Sequence, residues 1–325
     1  MKCRMMQNVL LMAFQLLIFP GLVFLILLAF IFEWIDRKVV ARIQSRYGPL
    51  YTGASGILQP LADFIKLLSK EDLTPESADK LIFTLTPLLS LSLVLTALFL
   101  FPMASSHAII NFEGDLIFLM FILTLTVLNV ALAGYGSASS YSVIGGVRSA
   151  LQLIGYEIPL AISLVGPSLS VGSLSISKIV EWQASKGLWM ILLQPLGFAV
   201  SMICLLAELE MIPFDIPEAE TEIVAGWMTE FSGRKLALFR VSKDLKMLLT
   251  TALLASLYLG GAQQLGLAPP IIVFLAKTIS MLLLMSLLRA LFARFRIDQL
   301  VSGMWKYLIP LAILQVMLVC LGARG

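Results

Sequence analysis

The chain has 325 residues, of which 59% are apolar and only 13% are charged, and its formal net charge is +3. An ordinary soluble domain has roughly 25% charged residues. The composition therefore excludes a soluble globular enzyme and a disordered chain. It also indicates no nucleic-acid partner, because a nucleic-acid-binding surface needs a dense basic face.

Eight apolar stretches predict an all-α polytopic membrane protein with about eight transmembrane helices in a single membrane domain, residues 1–325. Each is close to the length of about 20 residues that crosses a bilayer. The first is too long for the apolar core of a signal peptide, so we interpret it as a span. The stretches are approximately 9–32, 81–102, 115–135, 156–177, 188–207, 248–263, 271–292 and 304–322.

Basic residues are concentrated on one side of this predicted topology. Counting Arg289 and Lys306 at its edges, that side holds 17 of the 23 lysines and arginines. The positive-inside rule places it in the cytoplasm, so both termini are expected outside a prokaryotic cell membrane. The predicted cytoplasmic loops are long and charged, which favours docking of a cytoplasmic partner over ordinary solvated loops. They are residues 33–80, 136–155, 208–247 and 293–303.

The first of these loops has two helical patterns. Lys38, Arg42 and Arg46 are spaced one helical turn apart and predict a basic stripe, for which lipid contact is the alternative explanation. Apolar residues at 57, 58, 61, 64, 65 and 68 also follow a helical period. That segment is too short to cross a bilayer, so it predicts an amphipathic helix at the membrane interface.

Carboxylates beside or inside the apolar stretches are the most informative residues. Ionisable groups at bilayer depth are costly and usually serve a function. Pro217 is a candidate first helical residue with Asp215 as its cap, which would place Glu218 and Glu222 on one helical face. Capping alone would not explain acids at the end of an apolar run. The acids are Glu157 and then Glu208, Glu210, Asp215, Glu218, Glu220 and Glu222.

Three cysteines and one histidine are too few and too far apart for a metal or iron–sulfur site. We therefore expect no cofactor in this chain and place any redox centre in a partner subunit.

Four groups of residues resemble the cytoplasmic loops of the H subunit of complex I, a family that includes mitochondrial NADH dehydrogenase subunit 1. The matching positions run in order from about residue 33 to residue 306. They include Asp36-Arg37-Lys38 with Arg42, Arg46, Gly48-Pro49 and Asp63; Arg148 with Tyr156-Glu157-Ile158-Pro159; Glu208 with Pro213-Phe214-Asp215, Glu218, Glu220, Glu222 and Glu230; and Arg294, Arg296 and Asp298 with Trp305-Lys306.

This resemblance implies a subunit that joins a cytoplasmic redox arm to an ion-pumping membrane arm through a chain of carboxylates. The implied partners are a hydrogenase-like large subunit, an iron–sulfur small subunit, antiporter-like membrane subunits and the lipid bilayer. The candidate coupling carboxylates are Glu157, Glu208, Glu210, Asp215, Glu218, Glu220 and Glu222. The candidate residues of the cavity or the redox-arm interface are Arg37, Arg42, Arg46, Asp63, Arg148, Glu230, Arg234, Arg294, Arg296 and Asp298.

One departure from the family pattern bears on the electron acceptor. Quinone-reducing members usually have Asn-Arg before the Pro-Phe-Asp element, whereas this chain has Glu210-Met211. The departure favours ferredoxin-driven hydrogenase or sulfur-reducing complexes, with iron–sulfur clusters and, in the hydrogenase type, a nickel–iron centre in partner subunits. The alternative within the family is the quinone-site subunit of an oxidoreductase fed by NADH, ferredoxin or a reduced deazaflavin.

Two interpretations from other classes compete with this one. A stand-alone secondary ion transporter should show internal repeats and broken helices at the midplane, and the sequence halves are not similar. A purely structural membrane anchor would explain the hydropathy and the basic loops. It would not explain Glu157 or the acidic run that begins at Glu208.

Overall fold

The computed structural model describes residues 14–104, 107–264 and 268–322, and within these ranges the chain is helical with no β-strand. Turns of one to five residues join some of the helices, whereas longer irregular segments follow Ile43, Leu98 and Glu208. The helices are α1 (Leu22–Ile43), α2 (Gln59–Ser69), α3 (Lys80–Leu98), α4 (Asp115–Gly136), α5 (Ser140–Val171), α6 (Ile176–Lys186), α7 (Met190–Leu193), α8 (Pro195–Glu208), α9 (Glu220–Ile223), α10 (Gly233–Leu259), α11 (Pro270–Leu291), α12 (Ile297–Gly303) and α13 (Ile309–Gly322).

Six helical segments of the described chain are long and apolar enough to cross a bilayer: Phe14–Ile43, α3, α4, α5, α11 and Ile297–Gly322. The other two predicted spans correspond to α8 and α10. Helix α8 has only 14 residues, and the uncharged part of α10 begins only at Met247. The chain is therefore a polytopic helical membrane protein, and these two helices are less like membrane spans than the sequence predicts.

Helix α10 lies at the centre of the bundle. Every residue from Met247 to Leu259 is buried, and α10 packs against α1, α3 and α11. Because a helix that is apolar all round must be surrounded by other apolar surfaces, this half of α10 forms the core. Its other half carries the charged side chains and ends among the connecting segments.

Those segments define what we call the charged end of the bundle: α2, residues 209–232 and residues 292–296. Helices α1, α4, α8 and α11 end there, and α3, α5 and α10 begin there. The predicted amphipathic helix forms as α2, and its place at the membrane interface stays a prediction. Two boundaries differ from expectation. Helix α5 begins at Ser140, so most of the predicted loop 136–155 is helical, and α1 ends at Ile43, so Arg46 lies beyond the helix that carries Lys38 and Arg42.

Candidate functional site

The acidic segment crosses the charged end as an irregular chain. It contains Pro213 and Pro217, and proline is unable to donate a backbone hydrogen bond. Gly226 has φ +57°, and a Cβ there would lie 1.9 Å from the carbonyl oxygen of Pro217. Within residues 209–232 the only α-helical turn is Glu220–Ile223. The expectation of a helix beginning at Pro217 is therefore wrong, and Glu218 and Glu222 do not share a helical face.

Glu208 is the most buried of the predicted acids, with 1% of its surface exposed. The hydroxyl of Tyr156 donates to one carboxylate oxygen at 2.5 Å, and Lys246 approaches the other at 2.7 Å. Thr126 donates to the same oxygen as Lys246 at 3.5 Å. Side chains from α4, α5 and α10 thus meet at the end of α8. A buried carboxylate needs such a counter-charge and such donors, since desolvation is otherwise too costly.

Glu210 and Glu218 continue this group of acids. Ser149 donates to Glu210 at 2.5 Å, and Lys243 donates to Glu218 at 2.5 Å. Burial raises the pKa of Glu210, the charge of Glu218 raises it further, and Lys246, Lys243 and Ser149 act in the opposite direction. Desolvation and a neighbouring like charge both favour the protonated form of a carboxyl group.

A small cavity of about 40 Å³ joins these groups, and we call it the acidic cavity. Its lining includes Glu208, Glu210, Glu218, Lys243 and Lys246. Three carboxylates and two ammonium groups therefore share one space. Such an arrangement can take up and hold a proton at Glu210, because burial and the neighbouring charge of Glu218 raise the pKa of that carboxyl group.

A second cluster of ion pairs, which we call the outer cluster, lies nearer the surface. Arg148 donates to Glu222 at 2.5 Å, and Arg294 donates to Asp215 at 2.6 Å. Burial raises the pKa of Asp215, against the opposing effect of Arg294. Arg148, Glu222 and Arg294 line a cavity of about 270 Å³ together with Arg296 and Asp298. Asp215 is thus a partner of Arg294, and the expectation that it caps a helix is wrong.

A third cluster lies between α1, α2 and α10. Arg37 donates to Asp63 at 3.0 Å and also pairs with Glu33. These residues line a cavity of about 200 Å³ with Arg240 and Asp244. The structure therefore brings the predicted residues Arg37 and Asp63 into direct contact.

The remaining predicted residues are dispersed. Glu157 is half-buried and accepts a hydrogen bond from Thr124 at 2.5 Å. Glu220 is exposed, and Glu230 is half-buried in the segment before α10. The guanidinium group of Arg42 lies 5.8 Å from the ring centre of Tyr47. Arg42 and Arg46 are exposed, and so is Arg234 at the start of α10.

Sequence reasoning identifies the acids more often than the residues that form hydrogen bonds or ion pairs with them. In the sequence Lys243 and Lys246 are only nearby bases, and the roles of Tyr156 and Ser149 depend on how α5 packs against the end of α8. Asp36 on α1 enters only as part of a motif, yet it is buried and pairs with Arg289 and Ser286 of α11. The feature of the sequence that could reveal such partners is a charged residue within an otherwise apolar helix.

These features define a polytopic helical membrane protein with a buried carboxylate–lysine cluster at one end. Among the described residues, no group of three or more His, Cys, Asp or Glu side chains could hold a metal ion.

Comparison with known proteins identifies the family. Residues 15–320 match the family model described as NADH dehydrogenase. The chain is 38% identical over 290 residues to the H subunit of NADH-quinone oxidoreductase from Dehalococcoides mccartyi strain CBDB1, and equally to that of strain ATCC BAA-2266 / KCTC 15142 / 195. Each match covers 89% of this chain and 81% of the relative. The chain therefore belongs to the NADH dehydrogenase family that includes the H subunit of complex I, and the predicted resemblance is confirmed.

Proposed function

We propose that this chain joins a cytoplasmic redox arm to the ion-pumping membrane arm of a complex I-like respiratory complex. In this role it carries a charge change from the redox arm into the membrane. The observation that carries the proposal is Glu208, a carboxylate 1% exposed at the end of an apolar helix and held by Lys246 and Tyr156. A membrane anchor would not need a buried acid with both partners, since the same volume filled by apolar side chains is often at least as stable.

The route that we propose for the charge uses the acids that the structure brings together. Asp215 and Glu222 lie in the outer cluster, and Glu210, Glu218 and Glu208 share the acidic cavity. A change of charge in the outer cluster alters the energy of ionisation in the cavity, because Coulomb interactions are stronger where water is scarce. Glu157 lies apart on α5 and would take the charge further into the membrane.

For the electron acceptor we propose the ferredoxin-driven type of complex, with hydrogenase-like and iron–sulfur partner subunits. The supporting observation is Glu210-Met211, where quinone-reducing members usually have Asn-Arg. Glu210 is drawn into the acidic cavity and Met211 packs against the apolar core. The second candidate is quinone reduction, which the names of the two relatives favour. In either type the pumped ion is H⁺ or Na⁺, and the charged end faces the cytoplasm.

The coupling role is tested with Glu208→Gln and Glu218→Gln in the whole complex, reconstituted into vesicles. We expect electron transfer to continue while the number of ions pumped per electron pair falls in both variants. The control is Glu181→Gln, which removes an exposed carboxylate on α6, at the opposite end of the bundle. Normal pumping in both variants would contradict the proposal.

The acceptor is tested on the native complex extracted in mild detergent. Its subunits are identified by mass spectrometry, and bound nickel and quinone reduction are assayed on the same sample. Nickel with a hydrogenase-like large subunit would support the ferredoxin-driven type. Quinone reduction without nickel would establish the second candidate, and isolation of this chain alone would favour a transporter.

A further inference from the structure

An apolar groove lies on the side of the bundle, between the charged-end parts of α8 and α11 and residues 297–308. It has a volume of about 550 Å³, and we call it the lateral groove. No residue in its lining carries a charge. Ligand cavities have volumes of about 300–1,000 Å³ and a mostly apolar lining with a few polar groups. The lateral groove therefore has the size and the lining of a site for an apolar group. Its lining includes Ile203, Leu206, Leu288, Phe292, Leu300 and Met304.

The lateral groove is accessible from the membrane. Two of the segments that border it, α11 and Ile297–Gly322, are long and apolar enough to cross a bilayer. Phe292 in its lining is exposed, and so are Leu287 on α11 and Leu314 on α13. Exposed apolar residues on a membrane-spanning helix face either lipid or another membrane protein. The occupant of the groove is therefore a lipid or a partner helix.

The length of the groove distinguishes these two occupants. Its lining on the last membrane-spanning segment runs from residue 299 to residue 308. At 1.5 Å per helical residue this stretch is about 14 Å long, whereas the hydrocarbon core of a bilayer is about 30 Å thick. A partner helix that crosses the membrane would need a groove along the whole core. A groove that extends through one leaflet fits the tail of one lipid.

A π-helical turn shapes one wall of the groove. The turn comprises Met304–Leu308 and supplies three of the lining residues. The indole N–H of Trp305 donates to the carbonyl oxygen of Ile154 on α5 at 3.2 Å, which holds the turn against the bundle. A Cβ at Gly303, directly before the turn, would meet no heavy atom within 4 Å. π-helical turns are rare and frequently lie at functional sites.

Lys306 brings a positive charge to the edge of the groove. Its side chain is exposed, and its ammonium nitrogen lies 5.5 Å from the ring centre of Tyr307, which lines the groove. Among the described residues no carboxylate pairs with Lys306. Because helical side chains lean towards the N-terminus of their helix, Lys306 leads back towards the charged end. Tryptophan and tyrosine beside it are typical of the headgroup level of a membrane.

We infer that the lateral groove binds one tail of an anionic phospholipid of the surrounding bilayer and that Lys306 binds the phosphate of its headgroup. An apolar groove beside a cation without a carboxylate partner complements a molecule with an anionic head and an apolar tail, and basic sites between membrane helices bind such headgroups. The predicted orientation would place this lipid in the cytoplasmic leaflet. The site uses none of the coupling carboxylates, so it is independent of the proposed function.

Occupancy is tested on the wild-type complex in nanodiscs that contain equal parts of phosphatidylglycerol and phosphatidylcholine. We expect a cryo-EM map to show elongated density in the lateral groove that ends at a phosphate within hydrogen-bond distance of the Lys306 Nζ. An empty groove, a quinone in it, or a helix of a partner subunit over it would overturn the inference. This result does not depend on how any variant folds.

The headgroup contact is tested with Lys306→Gln by native mass spectrometry of the delipidated complex, titrated separately with the two lipids. One cation near a membrane surface changes the affinity for an anionic lipid about fivefold. We therefore expect phosphatidylglycerol to bind about fivefold more weakly at the site that differs from wild type, and phosphatidylcholine to bind equally. Lys186→Gln removes an exposed cation at the opposite end and is the matched control. Unchanged binding of phosphatidylglycerol in Lys306→Gln would overturn the role of Lys306.

The place of the tail is tested with Gly303→Leu in the same titrations. Gly303 has φ −66° and ψ −45°, so leucine fits the backbone, and its side chain enters the open space beside the groove. We expect the density in the groove to disappear and the binding of both lipids to fall by the same factor. Gly322→Leu is the matched control, because a Cβ at Gly322 also has no heavy atom within 4 Å and lies at the far end of α13. Equal lipid binding in the two leucine variants would overturn the assignment of the groove to the tail.

Discussion

At the scale of single residues, Lys246 determines how well the interior tolerates Glu208. Lys246 is 12% exposed and Glu208 is 1% exposed, with 2.7 Å between the ammonium nitrogen and the carboxylate oxygen. Removing one partner of a buried ion pair costs about 3–5 kcal/mol, whereas replacing both partners is often neutral. We therefore expect Lys246→Met to lower the thermal unfolding midpoint of the purified complex strongly.

The double variant Lys246→Met with Glu208→Gln separates charge from packing. It removes the uncompensated carboxylate, so we expect it to recover most of the loss in thermal stability. Equal losses in the single and the double variant would show that the lysine stem, and not its charge, stabilises this region.

Glu210 makes stability depend on pH in a defined direction. Burial raises its pKa in the folded protein, whereas an unfolded glutamate has a pKa of about 4.3. Between these two values the unfolded chain releases a proton that the folded protein keeps, so stability falls as pH rises. Glu210→Gln removes the ionisable group and with it this loss of stability. The amide oxygen of glutamine can still accept the hydrogen bond from Ser149.

We expect the thermal unfolding midpoint of Glu210→Gln to exceed that of the wild type at neutral pH. The difference should vanish as the pH falls below about 4, where both states of the wild type are protonated. Glu76→Gln, which changes an exposed residue, is the control. A difference that stays constant with pH would contradict the assignment.

At the scale of helices, a buried ion pair joins α1 to α11. Asp36 is 4% exposed, accepts a hydrogen bond from Ser286 at 2.7 Å and pairs with Arg289. Arg289→Ala leaves the buried carboxylate without its counter-charge. We expect this substitution to lower the free energy of unfolding by about 2–4 kcal/mol. The loss is smaller than for a fully buried pair because the arginine is partly exposed.

Arg296→Ala is the matched control for Arg289→Ala. Its partner is Asp298 at 3.7 Å, and both side chains are 80% exposed. Exposed pairs contribute about 0–1 kcal/mol, so the unfolding midpoint should hardly change. Equal destabilisation by the two substitutions would refute the claim that burial sets the strength of the α1–α11 contact.

The same scale shows what the sequence could predict and why. Apolar periodicity predicts α2, and long apolar stretches predict the membrane helices, since both patterns are local. Glu208 stands out in the sequence because it ends an apolar run. The partners of Glu208 do not stand out in the sequence, because whether Lys246 or Arg234 reaches an acid depends on how α10 packs against α8. The irregular path of residues 209–219 is not predictable from the sequence either. A proline such as Pro217 gives a similar local signal at the start of a helix and in a non-helical turn.

At the scale of the whole molecule, charge is distributed unevenly between the two ends. The acidic cavity and the other two clusters of ion pairs all lie at the charged end. That end also exposes large side chains with no covering helix in the described chain, including Tyr47 at 76% and Tyr51 at 97%. Exposed aromatic residues beside arginine are typical of protein interfaces, which agrees with a redox arm docking here.

This surface leads to a prediction about assembly. Arg46 is exposed just beyond α1 in the segment that carries Tyr47 and Tyr51. Arginine at an interface commonly contributes more than about 1 kcal/mol, so Arg46→Ala should make the cytoplasmic arm dissociate about tenfold more readily. Native mass spectrometry of the detergent-extracted complex over a dilution series measures this. Lys186→Ala, an exposed cation at the opposite end, should leave the arm attached, and an equally intact complex in both variants would place the docking surface elsewhere.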